Sequence, residues 1–308
     1  MHERTGSALN DYFMIDAIAA VFREPKAGDY AFDDNGIIMA VYPRLGKRYN
    51  PGTVAQYLLY LLSESGHSGE KGKCAMLRHA GWLVDNASHR EGFSVWQYDF
   101  PWINAGYRCD PPWCSSLAQG IGVSALLRVY GFTKDRKYLD CARDALQALI
   151  IPIEKGGVLS HSKRGSAWFE EYAGKERAQV LNGMILATVG AHEFHLVTGD
   201  EEAKAIFDLG VRTLIDELGD FELGMPLFQW SKYDNKYQFV SDMDYHKMHI
   251  VQLDHLFNIT GEEIFRQYAR RWESYLARHG DPGKFALIFL AYRVYLGFML
   301  FLQKHGIA

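Results

Sequence analysis

A chain of 308 residues with 48% hydrophobic and 23% charged content can bury a substantial core, which excludes a disordered polypeptide. Its formal net charge of −4 excludes the broad basic footprint of a general nucleic-acid binder and leaves room only for a local basic cleft. The four cysteines, Cys74, Cys109, Cys114 and Cys141, lack the paired spacing of zinc sites. They leave two readings, free thiols in a reducing compartment or a Cys109–Cys114 bridge.

In chain order, the opening MHERTGSALNDYFMIDAIAAVF has neither the apolar run nor the small-residue cleavage site of a secretory leader. A cytoplasmic location, or one peripheral to the cytoplasmic membrane, is expected. DYAFDDNGIIMAVYPRLGKRYNPGTV reads as a short β-hairpin turning at Asp34, Asn35 and Gly36, so residues 1–52 form an N-terminal arm and hairpin.

Beyond it, four short turn signals recur at intervals of 65, 65 and 62 residues: Ser68-Gly69-Glu70, Thr133-Lys134-Asp135, Thr198-Gly199-Asp200 and Thr260-Gly261-Glu262. Each is followed by an amphipathic helical pattern and preceded by a more apolar one, such as LAQGIGVSALLRVYG or VLNGMILATVGAHEFHLV. Thr260 with Glu263 has the form of a capping box, and Ser68 and Asp200 have that of N-cap residues. Four inner and outer helix pairs over residues 53–280 predict an all-α fold, an α/α barrel or toroid with little strand beyond the hairpin. A helical bundle without a cleft is the alternative. In a toroid, the polar starts of the inner helices, Gln56, Gln119, Asn182 and His246 with His249, line one rim.

Residues 281–308 stand apart. Phe285 to Leu302, FALIFLAYRVYLGFMLFL, is eighteen residues with a single charge at Arg293. That is close to the length that crosses a bilayer, although a central arginine is costly there. Two readings follow, a helix packed on the domain or one that enters or lies on a membrane.

Three loops between helix pairs combine aromatic and charged residues: FSVWQYDFPWINAGYRCDPPWCSS, HSKRGSAWFEEYAGKERAQ and LFQWSKYDNKYQFVSDMDYHKMH. Tyrosine and tryptophan pair an apolar face with a polar tip, which suits a carbohydrate cleft, although any single one of them serves equally as packing. Adjacent residues on extended backbone point apart, so Glu170 and Glu171 face opposite sides. Glu170 is then open to a supporting ion pair with Arg164, Lys175 or Arg177. His246 and His249, one helical turn apart, lack a matched third ligand, so a hydrogen-bonded helix start is expected in place of a metal site.

Two chemistries fit these residues. A glycosidase needs two carboxylates, for which Glu171 with Asp234 or Asp244 can be nominated. A uronate epimerase or lyase must instead remove the proton alpha to the sugar carboxylate and stabilise the enolate; a tyrosine with its pKa lowered by cations suits the first task and Lys or Arg the second.

The segments WFEEYAG with VLNG, then YD-N-K, DYHKMHIVQL, YNPGTVAQYLLYLL, the run Trp113 to Gly120 and RRWESYL together resemble the C-terminal region of the D-glucuronyl C5-epimerase family, from about Tyr49 to Leu276. The resemblance implies an α/α barrel that inverts C5 of glucuronic acid residues to iduronic acid in a polysaccharide, heparosan or another glycosaminoglycan precursor in the animal members. It implies catalytic roles for Tyr172, Tyr245 and Glu171. Substrate contacts are implied for Asn182, Tyr233, Asp234 and Lys236, and Gln56, Gln119, Trp113 and His246 complete the candidate set. Lys236 stands where the animal pattern has arginine, which exchanges a bidentate fork for a point charge. No counterpart is expected for the β-sandwich that precedes the barrel in animal enzymes. No metal or other cofactor is required. The expected partner is a uronic-acid-containing poly- or oligosaccharide and not nucleic acid, with a homodimer and membrane contact through Phe285–Leu302 also open. A uronan lyase and a non-catalytic glycan-binding helical module remain the alternatives.

Overall fold

The computed structural model describes residues 9, 11–26, 28–64, 69–104, 107–225 and 228–304. Contacts gather the chain into two compact units where the sequence suggested one body over 53–280. The first runs to Gln179 and resumes over Gly183–Thr213; the second takes Val180–Asn182 and everything from Leu214.

The first unit begins with helix α1 (Ile15–Arg23) and a three-stranded antiparallel sheet, β1 (Tyr30–Phe32), β2 (Ile38–Tyr42) and β3 (Gly46–Arg48). The expected hairpin is present, and Asp33 shapes its turn: Oδ1 accepts from the N–H groups of Asn35 (2.9 Å) and Ile37 (2.7 Å). Helix pairs follow as α2 (Pro51–Glu64) with α3 (Gly69–Asp85), α4 (Ser116–Thr133) with α5 (Arg136–Gln147), and α6 (Leu181–Thr198) with α7 (Glu201–Glu217). The fourth pair, α8 (Met243–Thr260) with α9 (Glu263–His279), and helix α10 (Pro282–Lys304) belong to the second unit. The fold is mostly helical and the periodic pairing holds.

The repeat is written atom by atom in its turns. Lys134, Gly199 and Gly261 all take left-handed conformation (φ 60°, 72° and 73°), and their N–H groups donate to the carbonyls of Tyr130, His195 and Phe257 at 2.7–2.8 Å. In each turn the threonine hydroxyl donates to the carbonyl four residues back: Thr133 to Val129, Thr198 to Phe194 and Thr260 to Leu256. The same hydroxyl accepts from the N–H two residues on, that of Asp135, Asp200 or Glu262, at 3.1–3.2 Å. Asp200 caps α7 as expected, accepting from Glu202 and Ala203. The capping-box expectation at Thr260 is corrected: its hydroxyl closes the end of α8, and α9 starts from Glu262 without a side-chain cap. Ser68 lies outside the described residues.

The apolar member of each pair is the more enclosed. Helix α4 buries residues all round its circumference, whereas α5 buries one stripe of Tyr138, Leu139, Cys141, Ala142, Ala145 and Leu146. Helices α4 and α6 cross with backbones touching. A Cβ on Gly120 would sit 2.4 Å from the Leu186 carbonyl oxygen, so only glycine permits the approach.

Strand content exceeds the expectation. The inter-helix loops fold into short antiparallel pairs: β4 (Ala87–Arg90), β5 (Phe93–Tyr98) and β8 (Trp113–Cys114) in one sheet, then β6 (Trp102–Asn104) with β7 (Tyr107–Cys109), β9 (Leu159–His161) with β10 (Ala167–Phe169), and β11 (Glu222–Met225) with β12 (Phe228–Ser231). Buried loop arms must satisfy their own backbone N–H and C=O groups, and pairing with each other does so. All four cysteines are free, which removes the Cys109–Cys114 bridge. Burial pushes those two thiols up to about 12 and about 11, so neither is a reactive thiolate at neutral pH.

Candidate functional site

In the first unit the segment after β10 carries both glutamates and Tyr172, and hydrogen bonds to the start of α4 hold it. The Ser116 N–H donates to the Glu170 carbonyl (3.0 Å), the Ser116 hydroxyl donates to the Phe169 carbonyl (3.0 Å), and the Ala173 N–H donates to the Cys114 carbonyl (3.1 Å). The two glutamates have different surroundings. Glu170 is fully buried, its Oε1 accepting from the Ser160 hydroxyl (2.6 Å) and its Oε2 from the Gln179 N–H (2.9 Å). It is held by β9 and by backbone, not by the direct arginine or lysine pairing expected for it. Glu171, 5% exposed, lies against α6, where a Cβ on Gly183 would come within 2.6 Å of its own Cβ and 2.9 Å of Oε2. The glycine of VLNG makes room for that carboxylate.

Tyr172, 8% exposed, stands among aromatic rings: Trp102 lies nearly parallel at 6.4 Å, Tyr107 at 5.6 Å, and Trp113 is tilted at 6.1 Å. Trp113 is a wall of this box more than a free platform, because it stacks on Tyr98 at 4.0 Å and its Nε1 donates to the Phe100 carbonyl. Gln119 is corrected to a core residue. Its amide accepts from the Trp96 N–H and donates to the carbonyls of Ser94 and Ala145, with no exposed surface left for a ligand. Gln56 is half-buried in α2.

Desolvation raises the Glu170 pKa from an ordinary 4.5 to about 7, with the Ser160 and Gln179 hydrogen bonds opposing it. A carboxyl whose folded pKa is raised binds more protons folded than unfolded over that interval. Its contribution to stability is therefore present below pH 4.5 and is lost as pH rises through about 7. The Glu170→Gln variant should show a smaller fall in melting temperature across this window than the parent, as followed by circular dichroism at stepped pH. Parallel curves would remove Glu170 as the source.

In the second unit Asp242 caps α8, its Oδ1 accepting from the Tyr245 N–H (2.8 Å), which places Tyr245 in the first turn. The Tyr233 and Tyr245 rings meet edge to face, with centres 4.9 Å apart, and both side chains are half-buried. Asp234 is fully buried, and its carboxylate accepts from the N–H groups of Tyr237 and Phe239. It shapes the loop that carries Tyr233 and Lys236. Lys236 is exposed, its Nζ 5.3 Å from the centre of the Tyr237 ring. Asn182 is nearly enclosed, and its Oδ1 accepts from Gln252 Nε2 at 2.5 Å.

His246 is corrected from a substrate contact to a packing residue. It has no exposed surface, stacks on Trp230 at 3.7 Å, accepts from the Ser231 N–H at Nδ1 and donates from Nε2 to the Trp272 carbonyl. Burial holds His246 at about 4 and His249 at about 3, so both rings are neutral at physiological pH. Among the described residues no cluster of histidine, cysteine, aspartate and glutamate has the geometry for a metal ion.

Sequence reasoning passed over Gln252, Lys232, Trp102 and Tyr107. Gln252 had a signal, since Tyr245, His249 and Gln252 follow the i, i+4, i+7 rule of one helix face. Lys232 had none: its Nζ is tied to the Asp220 carbonyl and Gln238 Oε1, and burial lowers its pKa.

These features define a helix-pair repeat protein whose loops carry tyrosines beside buried carboxylate and amide groups. The family model for the D-glucuronyl C5-epimerase C-terminus matches residues 90–274, and the chain belongs to that family. It is 29% identical over 281 residues to a D-glucuronyl C5-epimerase of Caenorhabditis elegans, a match covering 84% of this chain and 44% of the relative. It is 32% identical over 189 residues to an uncharacterised protein of Methanocaldococcus jannaschii, covering 58% of this chain and 57% of that one. The chain thus spans about half the length of the curated relatives it matches. Among solved structures, a GH76 alpha-mannanase of Bacteroides thetaiotaomicron aligns over 84% of this chain and 70% of its own, with 10% identity and a TM-score of 0.49.

Proposed function

We propose that the chain epimerises C5 of D-glucuronic acid residues to L-iduronic acid within a uronic-acid-containing glycan. The observation that carries this reading is the family match over residues 90–274, which spans Glu171, Tyr172, Asn182, Tyr233 and Tyr245 in one stretch. Inversion needs one group to take the C5 proton and another to return a proton to the opposite ring face. Tyr172 and Tyr245 are assigned those roles. Glu171, packed against α6 one residue before Tyr172, serves as base or proton store for it. The C5–H bond breaks toward a tyrosinate, the electron pair moves into the carboxylate to give an enolate, and a phenol O–H delivers the new proton to C5. Lys236, Asn182 and Tyr233 bind the carboxylate and its enolate; such contacts and proton transfers contribute on the order of 10²–10⁴-fold each. The scheme needs no metal or nucleotide. The α/α-toroid expectation stays part of this proposal and rests on the repeat of helix pairs.

Incubation of the protein with heparosan and other glucuronate polymers in D₂O tests it. Deuterium should appear at C5 together with iduronate. Absence of exchange with every uronan from folded protein would overturn the reading, and accumulation of unsaturated uronate would reassign the chain as a lyase.

A further inference from the structure

Among the described residues, a stripe of α10 side chains packs on the second unit. Phe285 is buried with its ring 4.9 Å from Trp230, and the buried Tyr292 donates from its hydroxyl to the Gln238 carbonyl (3.0 Å). Arg293 turns toward the same surface, its guanidinium 5.2 Å from the centre of the Phe239 ring. On the side away from that stripe, Leu287, Leu290, Val294, Tyr295, Phe298 and Phe301 are 52–72% exposed. At about 100° per residue, all of these but Tyr295 fall within an arc of about 80°, opposite Phe285, Phe289 and Tyr292. The helix is therefore apolar on both faces, one packed on protein and one exposed. A contiguous outward patch of large aliphatic and aromatic side chains is what soluble surfaces avoid unless something covers it.

Charge selects the cover. From Pro282 to Lys304 there is no aspartate or glutamate, while Lys284, Arg293 and Lys304 are basic. A second α10 laid on the first would bring together like charges with no acidic partner. An anionic lipid surface meets both needs, taking the apolar side chains at the headgroup boundary and attracting the cations. Phe285 and Tyr292, seven residues apart, both pack on the second unit, so the helix runs along that protein surface with its exposed side chains outward, as a helix lying in the plane of a lipid surface requires. Leu287, Leu290 and Phe298 are the residue types that the apolar face of such a helix carries.

We propose that the exposed face of α10 docks the protein on an anionic lipid bilayer, with the helix lying along the headgroup boundary. This is independent of the reaction proposed above. The test is co-sedimentation of the full chain with phosphatidylcholine vesicles with and without phosphatidylglycerol, at low and high salt, beside the pair L290E/F298E. Both substituted positions face away from the protein, so the thermal melt of the pair should match the parent. Binding should rise with the anionic lipid and weaken with salt, and the pair should lower the partition coefficient by about tenfold or more. Equal binding to neutral vesicles, or unchanged binding by the pair, would overturn the proposal. A dimer that the pair dissolves, without vesicle binding, would overturn it in favour of a second copy.

Discussion

Tyr172→Phe is expected to lower epimerisation by about 10²–10⁴-fold while leaving the fold and glycan affinity close to the parent's. The phenylalanine ring keeps the aromatic neighbours Trp102, Tyr107 and Trp113, so only the hydroxyl is lost. Tyr245→Phe keeps the edge-to-face contact with Tyr233 and should fall by a similar factor. The two variants should differ in one respect. In the proposed scheme one tyrosine serves each ring face, so each variant should retain C5 exchange in D₂O from the epimer whose proton faces the surviving tyrosine, without inverting it. The retained epimer should be opposite in the two variants. C5 exchange followed by NMR on glucuronate- and iduronate-containing chains reads this directly. Activity within tenfold of the parent in both would remove the tyrosines as acid/base groups, and unchanged binding with no turnover in the parent would favour a glycan-binding module.

The helical pairing was legible because the same local chemistry recurs. A threonine, a residue in left-handed backbone (glycine in two turns, Lys134 in the other) and an acidic residue end one helix and start the next at Thr133, Thr198 and Thr260. The acid/base roles proposed for Tyr172 and Tyr245 rest on the resemblance of their motifs, whereas Glu171 and Asn182 could also be nominated from the residues alone, as a carboxylate in an aromatic loop and a polar helix start. What the sequence concealed was the consumption of polar groups by packing. Gln119 and His246 sit at helix starts just as Asn182 and Tyr245 do, and nothing local shows that three protein partners use up the Gln119 amide. Nor does anything local show that Ser231 and Trp272 saturate the His246 ring. The loop strands were hidden for a related reason. Short arms such as Leu159–His161 and Ala167–Phe169 pair because burial demands backbone partners, a requirement set by tertiary enclosure and not by strand propensity.

The largest stability effect should come from a pair that the functional reading does not use. Arg128 of α4 and Glu193 of α6 form two parallel hydrogen bonds, Nη1 to Oε2 at 2.8 Å and Nη2 to Oε1 at 2.7 Å, with side chains only 11% and 8% exposed. Arg128 Nη1 also donates to the Ser124 carbonyl, and its guanidinium lies 5.3 Å from the centre of the Tyr12 ring. Glu193→Ala would strand a buried guanidinium, because burial opposes the charged form and Glu193 supplies the leading compensation. The expected loss is about 3–5 kcal/mol, or a fall in melting temperature on the order of 10 °C. The double variant R128L/E193L removes both charges and fills much of the space, so it should recover most of that loss. Urea midpoints of parent, single and double variants decide it. If Glu193→Ala costs less than about 1 kcal/mol, the pair behaves as a surface salt bridge would, and the crossing of α4 and α6 depends on the Gly120 contact alone.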